Sequence, residues 1–274
     1  MTVDKKAIAL SFSRAAPRYD SVARVQRQVG DAMLAVLAGS AQPVETALDI
    51  GCGTGTLTIK LAPFARHITA LDIAPGMLSV AKQNDRQGVI SEFVCADAEQ
   101  LPFSAEQFDL VFSSFALQWC DELAQVLADV YRLLKPGGRF LFSIPVENTL
   151  RELKLSWQKA ENRYHHVNDF LSVVQLQTLL VQSPFQTLQL KECLDMVYYE
   201  TVRELTRELK TLGAHQVTSN RAHSLTGKKT LFKMMSNYEH FRNHQGMLPA
   251  SWHYCVIALQ KPATITPETK EASQ

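Results

Sequence analysis

The sequence has 274 residues, of which 28 are lysine or arginine and 27 are aspartate or glutamate, so its formal net charge is only +1. This balance excludes a strong overall basic field of the kind that attracts nucleic acid or anionic membranes. Hydrophobic residues make up 46% of the chain, which predicts a globular protein large enough to bury a sizeable core.

The first 45 residues predict helices that precede the sheet. Between residues 4 and 38 apolar side chains recur at helical spacing and strand alternation is absent. Pro17 predicts a polar kink between two helices, so we expect the segment 12–20, which holds Phe12, Arg14 and Arg18, to be a loop. We predict that residues 1–45 cover the ligand site. A solvated helix pair that packs on the sheet is the alternative.

The stretch from Thr46 to Thr56, TALDIGCGTGT, predicts a strand, a tight turn and a helix. Its apolar run ends at three alternating glycines, Gly51, Gly53 and Gly55. Glycine tolerates a positive φ and lets a ligand approach the backbone amides at the start of a helix. A glycine turn that merely lets the strand and the helix pack closely is the alternative.

Two acidic residues narrow the kind of ligand. Asp72 closes the next apolar run about twenty residues further on, where a carboxylate that binds ribose hydroxyls is expected. Asp49 precedes the first glycine, so its charge would repel a pyrophosphate and favour an ammonium group. We therefore predict S-adenosylmethionine, which carries adenosine, a zwitterionic methionine and no phosphate, in preference to NAD.

From residue 46 to residue 145, predicted strands and helices alternate. Strands are expected near 46–50, 67–72, 91–95, 108–114 and 138–144, and helices near 55–64, 75–85 and 121–134. This alternation predicts an α/β fold with a doubly wound parallel sheet, in which 46–145 is the cofactor-binding core. Residues 135–138 are expected to end the third of these helices and to turn the chain into the fifth strand.

Beyond residue 145 the composition changes. Helices are expected within 147–182, at 201–212 and from about 227 to 241, and strands at 185–199 and 252–260. We predict that residues 146–261 combine helical cap insertions with the last two strands. Residues 262–274 are rich in Pro, Thr, Glu and Lys, which predicts a disordered tail.

Ligands of such sheets bind at the carboxyl ends of the strands. Asp97 follows the third strand, where its carboxylate could accept a hydrogen bond from an adenine amino group while Ile73 and Met77 cover the ring. The alternative for the two apolar residues is an ordinary place in the core. The predicted cofactor-binding residues are Tyr19, Asp49, Gly51, Gly53, Asp72, Ile73, Met77, Asp97, Ala98 and Ser113.

The cysteines and histidines indicate the redox environment of the protein and whether a metal site is expected. The five cysteines are odd in number and form no C-x-x-C pair, which predicts reduced thiols in a cytoplasmic protein. His165 and His166 are the one adjacent histidine pair, and they lack metal-ligand spacing, so no metal is expected. The sequence starts without a long apolar segment, and we expect neither a signal peptide nor a membrane span.

The motifs of the first half resemble those of the class I S-adenosylmethionine methyltransferases. They are LDIGCGTG at 48–55, LD at 71–72, LPF at 101–103 ahead of FD at 108–109, and LKPGG at 134–138. Further pieces, along nearly the whole chain except its tail, resemble the malonyl-carrier-protein O-methyltransferases of biotin synthesis. These are FSRAAPRYD at 12–20, ALQWC at 116–120, LRELKLSW at 150–157, LGAH at 212–215, LTGKK at 225–229 and LP at 248–249.

The resemblance implies a mostly parallel, seven-stranded Rossmann-like sheet with one antiparallel strand and a helical cap. It also implies methyl transfer from S-adenosylmethionine to the free carboxylate of a malonyl thioester on acyl carrier protein, with S-adenosylhomocysteine as the product. A carboxylate is already ionised at neutral pH, so we expect no general base and instead a site that orients the substrate. The candidate substrate-positioning residues are Tyr19, Gln118, Trp119, Arg14, Arg221 and His165.

Because carrier protein is acidic, we expect it to dock on a local basic rim. Three candidate cations share one face of the predicted 201–212 helix, and two more open the following helix. A solvated face is the alternative, since Glu204 and Glu208 are interleaved with these cations. The candidate docking residues are Arg203, Arg207, Lys210, Lys228 and Lys229.

Two other functions stay open. An enzyme of the same fold could methylate another small carboxylic acid or a quinone-type ring. A methyltransferase-like binding protein without activity is the second alternative. Its expected signature is a broken glycine motif or a lost ribose-binding acid, whereas the three glycines of the turn and Asp72 are intact.

Overall fold

The structure, a computed structural model, describes residues 4–39, 42–161, 165–214 and 227–263. Seven strands form one sheet: β1 (Val44–Ile50), β2 (Ala65–Asp72), β3 (Ile90–Cys95), β4 (Phe108–Ser114), β5 (Leu134–Pro145), β6 (Gln186–Tyr199) and β7 (Leu248–Gln260). Their order is β3-β2-β1-β4-β5-β7-β6. Strands β1 to β5 pair in parallel, whereas β7 pairs antiparallel with both β5 and β6. The expected α/β fold, with its mostly parallel sheet and one antiparallel strand, is confirmed.

Two helices precede the sheet, α1 (Lys5–Val22) and α2 (Arg24–Ala38). The predicted kink is wrong, because Pro17 lies inside α1 and the break between the helices falls at Ala23. Proline removes one hydrogen bond from a helix, and close tertiary contacts offset the loss. A Cβ on Gly76 would lie 2.7 Å from the Cα of Ser13, and the Gly76 N–H donates to the Ser13 hydroxyl (3.1 Å).

Helices α3 (Thr56–Ile59), α4 (Pro75–Asn84) and α5 (Leu123–Leu133) lie between the parallel strands, close to their predicted positions. Helix α3 is shorter than predicted, since it ends at Ile59 and residues 60–64 form turns before β2. The predicted turn at 135–138 is part of β5 instead. Two hydrogen bonds hold this stretch in the sheet, since the Gly137 N–H donates to the Lys261 carbonyl and the Lys261 N–H donates to the Gly138 carbonyl, both at 2.9 Å. Gly137 itself has a φ of 79°.

The remaining helices are α6 (Arg151–Ala160), α7 (Val173–Gln182), α8 (Val202–Thr211) and α9 (Lys228–Tyr238). Strand β7 begins at Leu248, earlier than predicted, because it pairs with β6 along almost its whole length. Of the predicted tail, residues 264–274 lie outside the described residues.

Helices cover both faces of the sheet. Helices α2, α6, α8 and α9 share one hydrophobic core with the first face, and α5 and α7 share a second core with the opposite face. This arrangement leaves the carboxyl ends of β1 to β4 open beneath α1. None of the helices in the described ranges combines the length and the apolarity that a bilayer crossing requires.

Candidate active site

The turn after β1 has a backbone that requires glycine. Gly51, Gly53 and Gly55 have φ angles of 76°, 55° and 76°. A Cβ added to Gly51 would lie 2.2 Å from the Cβ of Ala116, which follows β4. The Gly51 N–H also donates to the carbonyl of Leu71 near the end of β2 (2.7 Å). The turn is therefore a tight junction of the ends of β1 and β2 and the segment after β4.

A cavity that we call the apolar cavity opens at this junction, beneath α1. Its empty volume is about 670 Å³, which includes the space at its open mouth. Aliphatic and aromatic side chains form most of its wall. Of the predicted cofactor-binding residues it collects Tyr19, Gly51, Gly53, Asp72, Ile73, Met77, Asp97 and Ala98.

Asp72 is the buried carboxylate of the apolar cavity. Its Oδ2 accepts from the Gly53 N–H (2.9 Å) and its Oδ1 from the Ala74 N–H (2.8 Å). Burial raises the pKa of Asp72 to about 6, although both of these hydrogen bonds lower it. Each oxygen keeps a further lone pair, so the carboxylate can accept from two neighbouring hydroxyls of a ligand.

A second cavity, which we call the polar cavity, adjoins the first across the glycine turn. The two cavities share Tyr19, Gly51, Gly53 and Ser114. Polar side chains from α1, α2 and the turn make up much of the wall of the second cavity. They include Asp20, Gln26, Arg27, Asp49, Thr54 and Thr56.

Asp49 is the buried carboxylate of the polar cavity. The Thr58 hydroxyl donates to its Oδ2 at 2.6 Å. Burial raises the pKa of Asp49 to about 7 and the negative charge of Asp72 adds to the rise, while the hydrogen bond from Thr58 opposes it. A ligand that brings positive charge would favour the ionised form of this carboxylate.

Helix α1 contacts the cavities through one face. The Phe12 ring packs edge-on against Trp119, with ring centroids 5.5 Å apart, and both line the apolar cavity. Tyr19 lines both cavities. Burial, with the nearby charges of Asp72 and Asp20, raises the pKa of Tyr19 far above its usual value. Its phenol therefore stays protonated and can act as a hydrogen-bond donor.

Ion pairs and a hydrogen bond fix the two ends of α1 beside the cavities. Near its start, the Lys5 ammonium forms ion pairs with Glu99 and with Asp97 (3.3 Å). Near its end, the Asp20 carboxylate accepts from the Thr54 hydroxyl (2.8 Å). These contacts hold the helix across the ligand site.

Two predicted residues after β4 lie away from the cavities. The Ser113 hydroxyl is buried and donates to the Ile50 carbonyl (2.8 Å), and Ser114 lines the two cavities in its place. Successive strand residues point to opposite faces, so an error of one residue moves the side chain away from the site. The Gln118 amide donates to the Phe115 carbonyl (2.6 Å), and this side chain lines a separate groove.

The segment 12–20 is helical and not the predicted loop, and the helix separates its side chains. Phe12 and Tyr19 point to the apolar cavity, whereas Arg14 and Arg18 line a groove on the outside of α1. The structure therefore places Arg14 outside both cavities.

One further candidate for holding the substrate lies away from the cavities, and another falls outside the part of the chain that the structure describes. His165 is exposed and pairs with Asp169 (2.9 Å), outside both cavities. Arg221 lies outside the described residues. In the described ranges no group of three or more His, Cys, Asp and Glu side chains is arranged to hold a metal ion.

We call the groove on the outside of α1 the basic groove. Arg14 and Arg18 line it from α1 and Lys210 lines it from α8, beside Leu10, which is 52% exposed. None of its described lining residues is acidic.

Of the five predicted docking cations, only Lys210 lines this groove. Arg207 lines a neighbouring groove together with Glu204 and Glu208. The others are exposed outside both grooves: Arg203, Lys228 and Lys229.

Sequence reasoning missed several residues of the cavities. Lys5 and Phe115 line the apolar cavity, and Gln26 and Arg27 line the polar cavity. Phe115 has a φ of 48°, a backbone that is uncommon outside glycine and frequent at functional sites. A helical period continued through residue 17 would have placed Lys5 on the same face as Phe12. No local pattern marks Gln26 or Arg27, because α2 reaches the cavity only through packing.

Comparisons with known proteins show to which family the chain belongs. The methyltransferase domain family matches residues 48–142, the part of the chain that runs from β1 into β5. A solved SAM-dependent methyltransferase of Thermotoga maritima is similar in fold, with a TM-score of 0.54 and 17% sequence identity. The similarity covers 93% of this chain and 99% of that chain.

Two curated relatives are similar in sequence along most of the chain. The biotin biosynthesis bifunctional protein BioHC of Cellvibrio japonicus is 43% identical over 260 residues, which are 95% of this chain and 51% of the relative. The chain thus spans about half the length of the bifunctional relatives that it matches. The malonyl-[acyl-carrier protein] O-methyltransferase of Serratia marcescens is 38% identical over 252 residues, which are 92% of this chain and 94% of the relative. The chain therefore belongs to the malonyl-[acyl-carrier protein] O-methyltransferase family.

Proposed function

We propose that this chain transfers a methyl group from S-adenosylmethionine to the free carboxylate of a malonyl thioester on acyl carrier protein, an early step of biotin synthesis. Family membership supports the substrate. The observation that carries the cofactor assignment is the junction of an apolar cavity and a polar cavity at one glycine turn. When bound, the cofactor supplies a methyl group that its sulfonium makes electrophilic.

The residues of the two cavities fit this cofactor. Ile73 and Met77 offer hydrocarbon to the faces of a purine, and Asp97 can accept from its amino group. Asp72 has free lone pairs for the ribose hydroxyls. Asp49 has the raised pKa of a buried carboxylate, which an added positive charge would lower.

The reaction requires positioning and no general base. A carboxylate with an ordinary pKa of about 4 is ionised at neutral pH, so it is already a nucleophile. The chain must remove water from it and hold it in line with the methyl group, and such orientation can contribute on the order of 7 to 11 kcal/mol. Tyr19 and Trp119 line the apolar cavity, and the Tyr19 phenol can donate to one carboxylate oxygen while the other oxygen attacks.

The test of this function is methyl transfer from labelled S-adenosylmethionine to a panel of acceptors. The panel comprises malonyl-carrier protein, malonyl-CoA, free malonate, a succinyl thioester on carrier and a quinone-type ring. We expect a base-labile methyl ester, with the highest kcat/KM on malonyl-carrier protein. Label that appears only on the ring, or on none of the acceptors, would contradict the proposed function.

We propose that the carrier protein docks at the basic groove. Arg14, Arg18 and Lys210 present three positive charges there, and no acidic side chain of the described lining opposes them. Complementary charge accelerates and orients the docking of an acidic partner. Residues of helix α1 line both this groove and the apolar cavity, so the two surfaces lie on the order of one helix diameter, about 10 Å, apart. The prosthetic arm of a carrier can bridge such a distance.

Charge reversal tests the docking site. Arg14→Glu with Arg18→Glu should raise the KM for malonyl-carrier protein about tenfold or more at low salt, and added salt should raise the wild-type KM. The rate with a small malonyl thioester that lacks the carrier should not change. Arg203→Glu is the matched control, because Arg203 is exposed outside the groove. A KM that is independent of salt, or an equal loss with the small thioester, would contradict docking at this groove.

A further inference from the structure

Two side chains of α2 in the polar cavity belong to no motif of the cofactor-binding core. We propose that Gln26 and Arg27 bind the amino-acid end of S-adenosylmethionine. In this arrangement the Gln26 side-chain oxygen accepts from the ammonium group and the Arg27 guanidinium donates to the carboxylate. The inference rests on the proposed function, because it takes S-adenosylmethionine as the ligand.

The Gln26 side chain contains a buried acceptor without a partner. Its Oε1 is inaccessible to solvent, and no donor of the described residues lies within hydrogen-bonding distance of it. A buried oxygen in this state costs free energy unless a donor is supplied. Gln26 lines the polar cavity, so a rotation of its side-chain amide would bring this oxygen to a donor of a ligand in that cavity.

Arg27 brings a cation to the same cavity. One of its terminal nitrogens donates to the Asp20 carbonyl near the end of α1, which is a neutral acceptor. In the part of the chain that the structure describes, no carboxylate forms an ion pair with Arg27 within 4.0 Å. A guanidinium has several N–H donors in a planar fork that matches a carboxylate. The remaining donors of Arg27 are therefore suited to an anionic group of a ligand.

The position of the polar cavity identifies which part of the cofactor enters it. Asp72, the acid expected at the ribose, lines the apolar cavity, and Gly51 and Gly53 line both cavities. A ligand with its adenosine in the apolar cavity thus extends past the glycine turn into the polar cavity. The methionine portion is the part of the cofactor beyond the ribose.

The charges of the polar cavity suit a zwitterion better than the malonyl group. Gln26 and Asp49 present acceptors and Arg27 presents a cation. An amino acid satisfies both kinds of group, since it carries an ammonium and a carboxylate. A malonyl carboxylate would leave the Gln26 oxygen without a donor and would approach the Asp49 carboxylate. If Arg27 served only to join α1 to α2, its hydrogen bond to the Asp20 carbonyl would be explained. The buried Gln26 oxygen would still lack a hydrogen-bond donor.

Calorimetry on the full chain with two ligands tests the assignment. S-adenosylhomocysteine contains the amino-acid end, and methylthioadenosine lacks it. Wild type should bind S-adenosylhomocysteine more tightly. Gln26→Met and Arg27→Met should each weaken S-adenosylhomocysteine about tenfold or more and leave methylthioadenosine within about twofold of wild type. Gln28→Met is the matched control, because Gln28 is exposed on the same helix, and it should change neither affinity.

A third ligand, decarboxylated S-adenosylhomocysteine, separates the two side chains. Arg27→Met should not weaken the binding of this ligand, whereas Gln26→Met should. Equal losses of S-adenosylhomocysteine and methylthioadenosine in both variants would overturn the inference. Wild type that binds all three ligands equally would overturn it without any variant, so the test does not depend on the folding of Arg27→Met. Wild type that binds none of the ligands would instead contradict the proposed function.

Discussion

The apolar and polar cavities adjoin each other across one glycine turn, yet different parts of the chain build them. The apolar cavity takes Asp72 from the end of β2 and Asp97 from the segment that follows β3. The polar cavity takes Gln26 and Arg27 from a helix that precedes the sheet. A site at strand ends follows from the strand pattern, whereas a site completed by a packed helix depends on where that helix docks.

The contributions of the two cavities to ligand binding can be measured separately with two ligands. A ligand that carries only adenosine reports on the apolar cavity, and a ligand that carries the amino acid as well reports on both. The ratio of the affinities for S-adenosylhomocysteine and methylthioadenosine therefore measures the polar cavity alone. Substitutions at the glycine turn, within one cavity or at the edge of the apolar cavity should therefore change the affinities for these two ligands in different ways.

The largest effect is expected from Gly51→Ala, which should disrupt both cavities. The new Cβ would lie 2.2 Å from the Ala116 Cβ, at a φ of 76° that disfavours any side chain. We expect calorimetry to show a loss of about 100-fold or more, equivalent to about 3 kcal/mol, for both ligands. Gly88→Ala is the matched control, because its φ is 65° and no atom lies within 4 Å of the added Cβ. Wild-type affinities in Gly51→Ala would show that the junction does not shape the cavities.

At pH 8, where Asp49 with its pKa of about 7 is ionised with or without the charge of Asp72, Asp72→Ala should weaken both ligands by the same factor and so leave their ratio unchanged. The substitution removes the acceptors for the ribose, which both ligands contain, and we expect losses of about 10- to 100-fold in titrations. Asp109→Ala is a control for general destabilisation, since Asp109 pairs with Lys135 (2.8 Å) away from the cavities. A change in the ratio would indicate that Asp72 also acts on the polar cavity.

Asp49 should make the binding of the positively charged cofactor depend on pH. Its pKa is raised to about 7, so it is protonated below pH 7 and becomes a partner for a cation only above it. The affinity of wild type for S-adenosylmethionine relative to methylthioadenosine should therefore rise about tenfold from pH 6 to pH 8.

Asp49→Asn should abolish this pH dependence in the same titrations. Asp72, with a pKa of about 6, also titrates in this range, but it acts on the adenosine of both ligands and largely cancels in the ratio. A wild-type ratio that is constant across the range would contradict the assigned role of Asp49.

The smallest effect is expected from Lys5→Met at the edge of the apolar cavity. Lys5 pairs with Asp97 and Glu99 near the start of α1, and partly exposed ion pairs stabilise only modestly. We expect both ligands to dissociate about two to five times faster in stopped-flow competition, with no change in their affinity ratio. Lys6→Met, at the exposed neighbouring position, is the control. Equal rates in the two variants would show that the ion pairs do not hold α1 over the ligand.

The core of the fold could be predicted because glycine, proline and charged residues mark where its strands end. Asp72 and Asp97 were found in this way, since each follows an apolar run. The position of Ser113 away from the cavities has a physical reason. Residues of β4 are buried on both faces of the sheet, so the apolar pattern does not show which residues point toward the ligand.

The N-terminal helices and the cap were harder to predict. Pro17 is a strong local signal for a break, but packing against Gly76 and the ties at both ends of α1 override it. Once α1 is a continuous helix, its period places Tyr19 and Arg14 on different faces. The helix therefore separates Arg14 from Tyr19, which the sequence pattern had predicted to share one loop.

By itself the sequence determined the alternation of strands and helices, the glycine turn and the acidic residues at the strand ends. These features depend on local backbone preference and on side chains that lie close together in the chain. Only the tertiary structure decided which face of α1 closes the apolar cavity, that Arg14, Arg18 and Lys210 share one groove, and that Gln26 and Arg27 reach the polar cavity. Such contacts join residues far apart in sequence, and the packing of whole helices on the sheet sets them.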